Sequence, residues 1–85
     1  MAIPVELHPH ARERAFERGA TEEEIIASVT EGERSPARFG RTAFRRNFRF
    51  DGIWRGRQYA TKQVEAIAVE DAARWLVITV LVKYF

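Results

Sequence analysis

After Gly32 the spacing of apolar residues changes, and that change limits the chain to one class of fold. Up to that point the apolar residues recur at helical spacing, ending with the stripe Ile25, Ile26 and Val29. From Arg41 they alternate: Phe44, Phe48 and Phe50 take one side, Arg45, Asn47 and Arg49 the other. A helical half followed by an alternating half predicts a two-layer α+β domain. Two N-terminal helices should pack on one face of a three- to four-stranded antiparallel sheet. The 85 residues suit one domain spanning 1–85, with a modest core.

Local signals mark the elements. "HPHARERAFERG", His8 to Gly19, reads as the first helix, with Pro9 in its first turn and Gly19 as the residue that ends it. "TEEEIIASVTEG" reads as the second, with Thr21 and Glu24 as a capping box and Gly32 as the stop. "ERSPARFG" reads as a polar loop. In the strand that follows, Arg46 falls on the phenylalanine side. Asp51-Gly52 is a hairpin-turn signal. "IWRGRQYA" and "KQVEAIAV" then read as strands, or as one strand bent near Thr61, and "EDAA" as a turn. The closing strand is "RWLVITVLVKYF". Leu76, Ile78, Val80 and Val82 are expected to face the core, with Trp75, Val77, Thr79 and Leu81 facing away. The second sheet face should be open and carry Arg, Trp, Tyr and Thr.

Charge is unevenly distributed. Residues 1–33 carry 3 basic and 8 acidic side chains, residues 34–62 carry 9 and 1, and residues 63–85 carry 2 and 3. The middle third is a concentrated positive field. Twelve of the fourteen basic residues are arginine, which takes phosphate in a bidentate grip and stacks on bases. A polyanion such as RNA is the expected partner. The chain has no cysteine, which suits a reducing compartment. The opening "MAIPVELHPH" lacks a basic segment followed by an apolar run, so no signal peptide is expected. The longest apolar run, Trp75 to Val82, is far short of the roughly 20 residues of a membrane helix. A cytoplasmic protein without a membrane role is the expectation.

Several side chains have the chemistry of a phosphate-handling site. His10, Arg14 and Arg18 are four residues apart and climb one side of the first helix, each about 40° further round. The helix dipole and Arg14 both favour neutral His10, as a general base requires. An ordinary solvated helix face, with Arg14 paired to Glu13 or Glu17, accounts for the same spacing. Lys62, one of two lysines, could stabilise a phosphorane, and Glu65 could accept a proton. A lysine that blunts a strand edge is the plainer reading. Trp54, Arg55, Arg57 and Tyr59 interleave aromatics with cations, as single-stranded RNA requires, although Trp54 also suits a core. Two histidines around Pro9 with no carboxylate at ligand spacing do not make a metal site, and no cofactor is expected.

"HARERAFERGATEEEI" resembles the opening H-A-x-x-R-x-x-x-R-G-x-x-x-E-E-I pattern of a bacterial family, the domain of unknown function numbered four-two-five-eight. "FRFDGIWRGRQYATKQVEAIAVE" and "VITV" are similar to its later segments, so the resemblance runs over residues 8 to 84. It implies a fold like the RelE-like and BrnT-like toxins, some of which are ribonucleases held by an antitoxin. It carries over His10, Arg14, Arg18, Tyr59, Lys62 and Thr79. The family often has a tyrosine two residues after that threonine; this chain has Leu81, with Tyr84 as the nearest substitute.

Together these readings lead to an expected metal-independent, RNA-cleaving toxin-like protein. RNA would lie on the open sheet face and contact Arg45, Arg46, Arg49, Trp54, Arg55, Arg57 and Tyr59. His10 or Glu65 would take the 2′-hydroxyl proton, while Arg14, Arg18 and Lys62 stabilise the phosphorane. The alternative is a non-catalytic module on the same fold that binds RNA or an acidic, antitoxin-like protein. A third reading is an interaction domain whose exposed strand pairs with a partner.

Overall fold

A computed structural model describes residues 3–85; Met1 and Ala2, the start of the expected domain and signal-free N-terminus, lie outside the described residues. The elements run β1 (Val5–Leu7), α1 (Pro9–Arg18), α2 (Glu22–Glu31), β2 (Glu33–Pro36), a 3-10 turn at Arg38–Gly40, β3 (Thr42–Trp54), β4 (Arg57–Asp71) and β5 (Arg74–Tyr84). The sheet order is β1-β5-β4-β3-β2. The α+β layering follows the sequence, but the sheet has five strands and is mixed. The short β1 pairs in parallel with β5, and the remaining pairs are antiparallel. Three residues, Val-Glu-Leu, are too few to show a period, which is why β1 is invisible in the sequence. The other edge, β2, is wholly exposed and carries charge and proline, which deter further pairing. No helix among the described residues is long and apolar enough to cross a membrane.

Both helices start and stop where their caps dictate. His8 caps α1 through its Nδ1, which accepts the His10 N–H at 3.1 Å. One histidine of the His-Pro-His stretch is therefore committed to a helix end. Gly19 closes α1 in the left-handed conformation (φ 80°). Thr21 and Glu24 form the reciprocal capping box of α2. The side of α2 that packs on the sheet is Ile25, Ser28 and Val29, while Ile26 is 37% exposed. Ser28 turns inward because its hydroxyl donates to Glu24 O at 2.8 Å, which removes the cost of burying it.

The helices cover one sheet face, α1 against β5 and α2 against β4 and β3. Ala11, Ala15, Ala66 and Ala68 let the layers approach closely, around buried Ile25, Val64, Val77 and Val80. Each of those four larger side chains contributes about 1.5–3 kcal/mol by leaving water.

Two bulges interrupt the strand pairing, and the one in β5 shifts the expected phase. In β5, Thr79 pairs with Ile67 and Val77 with Ala68, leaving Ile78 unpaired. Trp75 and Val77 therefore face the helices before the bulge, and Val80 and Val82 after it. Leu76 and Ile78 do not join that core as strict alternation implies. In β3 the register slips between Arg49 and Gly52, where Asp51 takes φ 43°. The Asp51-Gly52 signal thus belongs to a bulge within β3. The hairpin turns at Arg55-Gly56, with φ 50° and 83°, as a two-residue turn with both φ positive. β4 then runs through Thr61 without a break.

Candidate functional site

The expected site residues divide among separate surfaces. Lys62 alternates with Glu65 along β4, so the two side chains leave opposite faces of the sheet. Lys62 points into the helix layer and is 7% exposed. Its Nζ donates to Gly19 O at 2.9 Å and pairs with Glu24 Oε1 at 2.9 Å. Two more side chains reach the same end of α1: the Tyr84 hydroxyl donates to Arg18 O at 2.8 Å and Arg55 to Glu17 O at 3.5 Å. In the other direction Arg18, the last residue of α1, donates to Val80 O of β5 at 2.6 Å. The last carbonyls of a helix have no partner within it and carry partial negative charge. Arginine, lysine and tyrosine satisfy them for the same reason that they would suit a phosphate.

An aromatic cluster supports this clamp. Trp54 stacks on Tyr84 with centroids 4.9 Å apart and planes 14° apart, while Phe50 and Tyr59 flank Tyr84 at 5.2 and 5.7 Å. The Arg55 guanidinium lies 5.2 Å from the Trp54 ring centre. A cleft of about 170 Å³ remains between Arg18, Trp54, Arg55, Val82 and Tyr84. Trp54 and Tyr59, expected as open platforms for bases, are half-buried members of this cluster.

Burial, then the nearby Glu24 carboxylate, push the Tyr84 phenol above its ordinary value near 10, and together outweigh the opposing pull of Arg55. The folded state therefore holds the proton more tightly than the unfolded chain. Its contribution is complete below pH 10 and fades as pH rises through the folded value. Thermal midpoints should fall more steeply above pH 10 in the wild type than in Tyr84→Phe. Parallel profiles would mean that the phenol is not held.

The histidine ladder does not converge on Lys62. His10 is exposed, and Arg18 lies about 12 Å further along α1. Arg14 sits between them, with its Nε 3.4 Å from His10 Nε2 and its guanidinium paired to Glu17 at 3.4 Å. This is largely the solvated helix face weighed at the outset. On the open sheet face, Arg45, Gln63, Glu65, Leu81, Val82 and Lys83 line a depression of about 420 Å³. Glu65 stands opposite Leu81, which has no proton to exchange, and Thr79 stands two pairs away, opposite Ile67. Arg45 is on this face but pairs with Glu33 at 3.3 Å; Arg46 is on the helix side and pairs with Glu31 at 3.1 Å. Arg49 is exposed and pairs with Asp51 at 2.9 Å.

Six arginines lack a carboxylate partner among the described residues; Arg18 is held by Val80 O, and the other five gather at the two ends of β3. Arg55 and Arg57 flank the hairpin turn; Arg34, Arg38 and Arg41 surround the 3-10 turn. The second group was missed because its segment reads as an ordinary polar loop. Its available signal was Phe39, a large aromatic within that loop. Phe39 is 86% exposed with φ 60°, a left-handed conformation that costs a bulky residue about 1–2 kcal/mol. No family model, curated protein or solved structure matches the chain.

Proposed function

We propose that the chain is a non-catalytic RNA-binding module that grips the phosphate backbone from the two ends of its long hairpin. The observation that carries this reading is the placement of the unneutralised arginines. Arg34, Arg38 and Arg41 lie at one end of β3, and Arg55 and Arg57 at the other. The 13 residues of β3 extend over roughly 40 Å, in keeping with the long axis of 41 Å. Cleavage is the weaker reading because Lys62 is occupied by Gly19 O and Glu24. Glu65 sits behind the sheet from it, and Leu81 stands where the resembled family often has tyrosine.

The test is fluorescence anisotropy with a short single-stranded RNA over a salt series, with EDTA present and RNA ends mapped afterwards. Five phosphate contacts predict a log–log salt slope of about −3.5, since each contact on a single strand contributes about 0.7. Arg57→Ala should weaken binding about fivefold and bring the slope about 0.7 nearer zero. The RNA should remain intact. Cyclic-phosphate ends formed by the wild type would restore the nuclease reading, and no salt-dependent binding would remove RNA as the partner.

A further inference from the structure

The geometry points to the Phe39 turn as a nucleotide-binding site, where one base of single-stranded RNA stacks on the Phe39 ring and the adjoining phosphate is held by Arg38 and Arg41. The inference rests on the RNA-binding reading above and assigns a specific contact within it.

Phe39 has no packing role that explains its placement. It is 86% exposed and lies outside the core cluster. The Arg41 guanidinium lies 5.7 Å from its ring centre. Its backbone is nevertheless held in a conformation that favours glycine (φ 60°, ψ 37°). Two backbone bonds close the turn: Ala37 N–H donates to Arg41 O at 2.9 Å, and Arg41 N–H to Arg38 O at 3.2 Å. The ring is thus presented on a shaped turn, which lowers the ordering cost of binding. Beside it Gly40 (φ 71°) leaves open space, with nothing within 4 Å of where its Cβ would stand. The adjoining groove, about 420 Å³, is lined in part by Arg34, Pro36, Gly40 and Arg41, and by no carboxylate.

A flat apolar ring, unneutralised guanidiniums and no carboxylate suit a ligand that is both aromatic and anionic. A nucleotide meets both requirements, because every base has a π-face and every linkage a charge. An acidic peptide meets only the second.

The experiment compares a uridine oligomer with an abasic ribose-phosphate oligomer of equal length, by anisotropy over a salt series. The proteins are wild type, Phe39→Ala, Phe39→Trp and Arg57→Ala. Phe39→Ala should bind the uridine oligomer about tenfold more weakly with an unchanged salt slope, because stacking displaces no counterions. Phe39→Trp should retain or exceed wild-type affinity. The abasic oligomer should bind wild type and Phe39→Ala alike. Circular dichroism should show all variants folded, since Phe39 supports no core contact. If Phe39→Ala matches wild type on uridine while Arg57→Ala is weakened, the stacking site is overturned and the RNA reading stands. If wild type binds no RNA, both fall. Oligoglutamate bound as tightly as RNA, with the same dependence on Phe39, would overturn the nucleobase assignment.

Discussion

Lys62→Ala should destabilise the domain by about 3–5 kcal/mol, close to the whole stability of a chain this size. The lysine is 7% exposed and holds two partners at 2.9 Å, the Glu24 carboxylate and the Gly19 carbonyl. Removing it leaves a largely buried charge and a helix-end carbonyl without their donor. Lys62→Met keeps the stem and most of the volume, so it isolates the ammonium. Glu24→Gln removes the opposing charge but keeps the capping box, because a glutamine oxygen still accepts the Thr21 N–H. Urea unfolding of wild type, both single variants and the double should give a double-mutant loss about 1–2 kcal/mol smaller than the sum of the singles. An alanine variant within about 0.5 kcal/mol of wild type would show that the pair carries no structural role. Loss of any activity in Lys62→Ala therefore reads first as loss of fold.

That result bears on how the sequence encodes the site. The sequence marks Arg18 and Lys62 for phosphate chemistry and Tyr84 as a substitute for the tyrosine replaced by Leu81, and the fold brings the three to one region. Their partners, however, are Val80 O, Gly19 O and Arg18 O, carbonyls that lie 62, 43 and 66 residues away in the chain. Local spacing identifies a donor but cannot say which acceptor the fold will deliver. The helices were legible because their caps are local: Thr21 with Glu24, Gly19 and Gly32. The strands were legible as alternation, and in β3 the expected phenylalanine side holds through the bulge at Asp51. In β5 the face was not legible, because the bulge at Ile78 inverts the pattern downstream of it. Phe39 escaped notice for the opposite reason: no period runs through a loop, so nothing marks its ring as presented.

The partition of the arginines has a physical logic. Glu31 and Glu33, at the end of α2 and the start of β2, neutralise Arg46 and Arg45 in the middle of the sheet. Asp51 does the same for Arg49. The positive field is thereby reduced along the body of β3 and left at its ends. A polyanion meets two separated cationic anchors, and spanning them adds the second contact at a high effective concentration.

Gly19→Ala should cost about 2–4 kcal/mol, and the comparison that isolates the cause is Gly56→Ala. Both glycines have positive φ, 80° and 83°, so both substitutions carry the left-handed penalty of about 1 kcal/mol. They differ in what an added methyl would meet. At Gly56 there is nothing within 4 Å, whereas at Gly19 the Cβ would stand 2.5 Å from Tyr84 Oη and 2.7 Å from Trp54 Cζ3. Those two rings are stacked on one another and flanked by Phe50 and Tyr59, so neither can retreat freely. The excess of Gly19→Ala over Gly56→Ala, read from urea midpoints at constant slope, is therefore the cost of prising Tyr84 from the end of α1, about 1–3 kcal/mol. A second readout should move with it: as the Tyr84 hydroxyl leaves Arg18 O and enters water, its titration should fall back toward 10. Gly56→Ala should leave that titration where it is in the wild type. Equal losses of stability in the two variants would mean that the clamp on α1 tolerates a methyl group, and that the aromatic cluster does not fix the helix end.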